Sequence, residues 1–156
     1  IATGVPFDGI WTSGIDNVIV DALVESQATL VPVVGADNAG FVVNLPHRKS
    51  FSPDAAFHVG PPPGPGFLQG APVFAVEVRS PDDYGPLAEK AMAAKRADYF
   101  ASGTVVVWDV DVLRDARIAV YRAAAPDRPT LYRRGEVAEA EPGLPGWTFP
   151  VDRLLE

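Results

Sequence analysis

Ala71-Pro72-Val73-Phe74-Ala75-Val76-Glu77-Val78 runs directly into Arg79-Ser80-Pro81-Asp82-Asp83, and a helical pattern opens three residues later at Pro86. Residues 72–78 are nearly all apolar, the pattern of a strand covered on both faces, and such strands are typical of mixed α/β sheets. Ser80-Pro81-Asp82-Asp83 breaks the strand. Pro86 suits a first helical position, and Gly103 closes a helix that ends near Ser102. Strand, break and helix together predict a sheet with a helix laid across it.

Within this unit, alternation along the strand sets Val73, Ala75 and Glu77 on one face. A carboxylate on such a face is costly unless something pairs with it. On the helix, at about 100° per residue, Lys95 falls on the arc of Ala88, Ala91, Met92 and Tyr99, where a core residue should point. Glu89, Lys90 and Arg96 fall away from that arc and read as solvent-facing charges.

Outward from the unit, residues 1–14 are irregular, and Asp16 is placed to cap a short helix carrying Ile15, Val18, Ile19 and Ala22 at helical spacing. Residues 35–40 read as a turn, 41–45 as a strand, 54–59 as a strand that begins at Pro53-Asp54, and the Gly/Pro-rich stretch 60–70 as a loop over the site. Beyond the helix, 104–110 is a second buried strand, 113–116 the turn of a hairpin, 117–122 its returning strand, and 130–133 a further short strand. The tail Pro142-Gly143-Leu144-Pro145-Gly146-Trp147 is expected to be irregular, with its tryptophan packed on the body.

With 156 residues, 47% of them hydrophobic and 21% charged, the chain can bury one core, and one domain over 1–156 is expected. The absence of cysteine excludes disulfides, zinc-thiolate sites and thiol nucleophiles. No secretory pattern at the amino end and no run long enough to cross a bilayer lead to an expected cytoplasmic location. A net charge of -7 without a basic tract predicts modest affinity for bulk nucleic acid, yet suits a pocket that holds divalent cations. No glycine-rich phosphate loop, Ser-His-Asp order or dinucleotide fingerprint is present.

The chemistry-bearing residues are Asp54, Glu77 and Lys95. A strand beginning at Asp54 beside the strand of Glu77 brings two carboxylates together. With the backbone carbonyl of Val78 they offer oxygen ligands suited to Mg²⁺, with Mn²⁺ as a substitute. Lys95, lying over the same sheet, would hold or deprotonate a water and offset charge on a phosphorane-like transition state, while the metal polarises the phosphate. Each residue also has a plainer role. Asp54 can cap a backbone amide, Glu77 and Lys95 can form a structural ion pair, and Lys95 can reach water from the helix edge. Asp82 and Asp83 read as turn and helix cap. His47-Arg48-Lys49 is a small basic cluster able to touch phosphate, His58 has no ligand spacing, and Trp108, Tyr121 and Trp147 read as packing residues.

Ser52-Pro53-Asp54-Ala55-Ala56-Phe57, the run 71–82, Lys95-Arg96-Ala97-Asp98-Tyr99-Phe100, Trp108-Asp109-Val110-Asp111, Val120-Tyr121-Arg122 and Pro142-Gly143-Leu144-Pro145-Gly146-Trp147 resemble, in order, the motifs of the Uma-type restriction endonucleases. That family lies within the PD-(D/E)xK nuclease superfamily, and the resemblance extends from about residue 35 to the carboxyl end. It implies a restriction-endonuclease-like fold: a central mixed sheet flanked by helices, α/β in class, with the acidic residues on central strands. Where the superfamily usually places its lysine, two residues after the glutamate, this chain has Arg79, which cannot act as a base at neutral pH. The Uma-type pattern takes its lysine from the helix, four residues before a tyrosine, as Lys95 and Tyr99 stand here. A further acidic ligand on the first helix falls to Asp21 or Glu25. By analogy, a homodimer cutting two strands is expected. The reading is a Mg²⁺-dependent endonuclease acting on DNA phosphodiester bonds; the alternative is an inactive module of the same fold that serves in binding or assembly.

Overall fold

A computed structural model describes residues 15–25, 33–36, 40–59 and 68–156. The elements run α1 (Ile15–Glu25), β1 (Val33–Ala36), β2 (Phe41–Leu45), β3 (Arg48–Phe51), β4 (Ala55–His58), β5 (Leu68–Gln69), β6 (Phe74–Val78), α2 (Pro86–Ala101), β7 (Val106–Asp111), β8 (Arg117–Arg122), β9 (Ala125–Arg133), β10 (Val137–Glu139), β11 (Thr148–Pro150) and a closing 3₁₀ turn, Val151–Leu155. Six strands form the central sheet in the order β1-β4-β6-β7-β8-β9. Within this sheet only β6 and β7 pair in parallel, with Glu77 opposite Asp109; its other neighbours are antiparallel. That one parallel step is made by a strand-helix-strand crossover, because parallel neighbours need a long connection and α2 is that connection.

Two apolar clusters sit on the sheet. One gathers Ile19, Val20 and Leu23 of α1 with Phe74, Val76, Val106, Trp108 and Val110. The other gathers Ala75, Val107 and Tyr99 with Val43 and Phe51. Alternation along β6 and β7 explains the split, since even positions meet the first cluster and odd positions meet α2. All six residues of β7 are buried for that reason. Val73 precedes β6 and packs against the first cluster, not on the face of Ala75 and Glu77 as alternation had suggested.

α2 begins with Pro86 after Gly85 (φ 97°), and no side chain caps it. Asp83 therefore does not cap the helix; its Oδ2 accepts from Ser80 N at 2.7 Å and Ser80 Oγ at 3.0 Å, closing the turn. Gly103, at φ 110°, ends the helix in a conformation that disfavours a side chain. Residues 35 and 36, expected in a turn, belong to β1, whose ladder to β4 extends them. The tail 142–147 is irregular as expected, and it connects two short strands not anticipated, β10 and β11, which pair with each other. Trp147 packs on the body as anticipated, stacked on Trp108 at 5.4 Å between centroids. Gly143 lets the same tail lie close on the body, because a Cβ there would stand 3.3 Å from Ala140 O and from Val106 Cγ2. Asp16, expected to cap the first helix, falls inside α1 as its second residue; most of the 60–70 loop lies outside the described residues. Among the described residues, no helix is long and apolar enough to cross a membrane.

Candidate active site

Lys95 and Tyr99 stand one turn apart on the same face of α2, so both reach the strand beneath. Lys95 Nζ donates to Glu77 Oε1 at 3.0 Å, and Tyr99 Oη donates to Glu77 Oε2 at 2.6 Å. One helix thus takes both oxygens of one strand carboxylate. The Lys95 and Glu77 side chains keep 32% and 27% of their exposure, whereas Tyr99 is fully buried. Burial, and next the Glu77 carboxylate, push the Tyr99 phenol far above its usual range, so it remains a neutral donor. Phe51 fixes the ring from the other side, stacked at 4.0 Å and 14°.

The β4–β6 ladder pairs Ala55 with Val76, and Asp54 N donates to Val76 O at 3.0 Å, so the same register carried one residue further sets Asp54 opposite Glu77. Asp54 Oδ2 accepts from Val78 N at 2.7 Å. Asp54, Glu77, Val78 and Lys95 are therefore assembled in one place. The plainer roles are present too: Asp54 holds a backbone amide, and Glu77 and Lys95 form an ion pair. A cavity of about 380 Å³ opens between α2 and strands β6 and β7, lined by Glu77, Val78, Lys95 and Arg96 among others but not by Asp54.

Beside this site lies an assembly that sequence reasoning missed. Arg79 Nε and Nη2 donate to the two oxygens of Asp109 at 2.9 and 2.8 Å; Nη1 and Nη2 donate to the two of Glu89 at 2.6 and 3.0 Å. Nη1 also reaches Asp83 O at 3.0 Å. The hydrogen bonds with Asp109 first, and with Glu89 second, raise the Arg79 guanidinium further above its already high range. Glu89, expected in solvent, is half exposed but committed to this pair, and Arg79 holds its carboxyl below the usual range. Arg96, also expected in solvent, is only 15% exposed: its guanidinium lies 3.9 Å over the Tyr121 ring and 3.6 Å from Asp109 Oδ2. Position 79 is thus a sealed strut, in keeping with its inability to act as a base.

Two residues of the basic cluster, His47 and Arg48, are likewise committed. His47 Nε2 and Arg48 Nε each lie 2.7 Å from an Asp98 oxygen. Burial alone would raise the Asp98 carboxyl, but bonds from Arg48 and His47 outweigh it and hold the group low. Neither Asp21 nor Glu25 lines the cavity. Both ride on α1, which packs against the other cluster; Asp21 is exposed and Glu25 lies 3.8 Å from Arg153. His58 is buried, and its Nδ1 has no hydrogen-bond partner among the described residues.

Oxygen donors from Asp54 and Glu77 suit a hard cation with water completing its shell. Among the described residues no three His, Asp or Glu side chains converge as ligands, which limits the fit to a two-carboxylate site.

No curated protein shows significant similarity to the chain. Among solved structures, one from Anabaena variabilis ATCC 29413, described as "a putative nuclease belonging to DUF820", superposes with a TM-score of 0.69 at 15% identity, covering 90% of this chain and 77% of that one. This likeness supports the fold: a mixed sheet flanked by helices. The model of the family Uma2, described as "Putative restriction endonuclease", matches residues 17–152. Matched over most of its length, the chain belongs to the Uma2 family.

Proposed function

We propose that the protein is a Mg²⁺-dependent endonuclease that hydrolyses DNA phosphodiester bonds at Asp54, Glu77 and Lys95. The observation that carries this reading is the Lys95–Glu77 contact at 3.0 Å, about a third exposed on the lining of a cavity, in a chain of this family. Asp54, Glu77 and the Val78 carbonyl would hold the metal, whose chemistry is to polarise the phosphate and make bound water more acidic. Lys95 would turn from Glu77 toward the reacting phosphate, where its ammonium meets the charge that grows on the equatorial oxygens. Tyr99 keeps Glu77 in place while Lys95 moves, because its hydroxyl bonds the other carboxylate oxygen. Acting on both strands of a duplex would take two copies, so we include a homodimer in the reading.

A second reading keeps the fold without the chemistry. It is favoured by the closure of the site upon itself: both Glu77 oxygens and one Asp54 oxygen already have donors. Calorimetric titration with Mn²⁺ and Mg²⁺ of the protein and of Glu77→Ala, followed by nicking of supercoiled plasmid, separates the two. Binding and nicking that vanish in the variant support the nuclease; a protein that binds neither metal and cuts nothing is the scaffold.

A further inference from the structure

We propose that Arg96 is a phosphate-binding residue, holding a phosphodiester that flanks the one at Lys95; this rests on the nuclease reading above. Lys95 and Arg96 are consecutive on α2, so they diverge around the helix. Lys95 reaches Glu77 on β6, while Arg96 reaches across β7 to Tyr121 on β8. Both line the same cavity. The two cations thus address different parts of one cleft, separated along the direction in which the strands are stacked.

The state of the acids around Arg96 sets it apart. Asp109, its nearest carboxylate, has both oxygens bonded by Arg79. Glu77 is bonded by Lys95 and Tyr99, and Asp83 by Ser80. Asp82, the remaining acid on the lining, is exposed on its turn. Arg96 therefore stays 3.6 Å from Asp109, beyond hydrogen-bonding distance, and among the described residues its side chain makes an ionic contact and a ring contact but no hydrogen bond. Its side chain is nonetheless only 15% exposed, and the Tyr121 face at 3.9 Å orients the guanidinium plane. A guanidinium already oriented beside a cavity, paired ionically with Asp109 but with no hydrogen bond on its fork of donors, is matched by the oxygens of a phosphodiester, which it can bind in bidentate fashion. Arg79 offers the contrast within the same cleft, because its donors are filled by Asp109 and Glu89.

The test is binding of a short labelled DNA duplex in Ca²⁺, which occupies oxygen sites without supporting cleavage, over a series of salt concentrations. Arg96→Gln should lower affinity and reduce the slope of log K against log salt by about 0.9, the loss of one phosphate contact. Arg96→Lys should keep the slope and recover part of the affinity, since charge remains and the fork does not. If Arg96→Gln binds the duplex with unchanged affinity and slope, the assignment is overturned and the nuclease reading stands. Failure of the unaltered protein to bind the duplex overturns both. Loss of folding in both variants makes Arg96 a strut on Tyr121 and also overturns the assignment.

Discussion

Two ionic assemblies stand side by side under α2, on strands that pair in parallel register, and they differ in how completely they are closed. At β7, Arg79 and Asp109 are each 5% exposed, and four hydrogen bonds tie the guanidinium to two carboxylates. At β6, Glu77 and Lys95 retain about a third of their exposure and share one bond, with Tyr99 behind them. A saturated buried pair has nothing left to offer a ligand, and removing one partner strands the other. A half-open pair can exchange its partner for water, metal or substrate at little cost. The comparison teaches that charge under this helix is divided between a strut and a site, and each variant below acts on one and spares the other.

The largest effect is expected at the strut. Arg79→Met leaves Asp109 buried with only the longer contact to Arg96, and breaking a buried pair costs about 3–5 kcal/mol. Urea unfolding should show that loss as a lower midpoint at unchanged m-value. A cost below about 1 kcal/mol would mean that the two assemblies are energetically alike and the contrast between them is only geometric.

Lys95→Met makes the opposite cut. A pair this exposed is worth about 0–1 kcal/mol, so unfolding should barely move, while plasmid nicking should fall by about 10²–10³-fold, the usual loss for one group that stabilises transition-state charge. A variant that unfolds as easily as Arg79→Met would make Lys95 a strut as well.

How far these assemblies are legible in sequence follows from how local they are. Glu77 on an apolar strand and Lys95 on an apolar helical arc are written in periodicities of two and 3.6 residues, and the structure places both so. The i, i+4 spacing of Lys95 and Tyr99 also carries the second Glu77 bond, since it sets both side chains over the same strand. Arg79 with Asp109 was not legible, because the partners are joined only by the β6–β7 register, which no local pattern encodes. Arg96 was misjudged for a related reason: its place off the apolar arc of α2 says nothing of Tyr121, which the β7–β8 hairpin brings over it. Strand β3, with Arg48-Lys49-Ser50, lacks apolar alternation and exists through its ladder to β2.

A smaller change should follow from Tyr99→Phe. The ring keeps its stack on Phe51 while Glu77 loses its second donor. Partners that orient a ligand typically contribute 10–100-fold in metal affinity, so Mn²⁺ binding should weaken by about tenfold. Phe51→Leu, which disturbs the stack but keeps the hydroxyl, should leave it closer to that of the unaltered protein. Equal weakening in both would assign Tyr99 to packing alone.

The smallest effect is in pH, and it tests the strut from its exposed end. Arg79 holds the Glu89 carboxyl below its ordinary range. The unfolded chain therefore takes up a proton at Glu89 before the folded one does, and stability from this contact is complete above about pH 4.5 and is lost as pH falls through the folded value. His58 acts in a separate window. Burial lowers its pKa, against a bond with the Ala71 backbone, so the unfolded imidazole binds its proton first and stability drops as pH falls below about 6.5. Melting temperatures across pH 7.5 to 3.5, all about, should thus fall in two stages. His58→Phe should flatten the upper stage and Glu89→Gln should soften the lower one, each sparing the other. If Glu89→Gln leaves the acid limb as steep as before, Asp109 alone holds Arg79, and the strut is narrower than its four hydrogen bonds suggest.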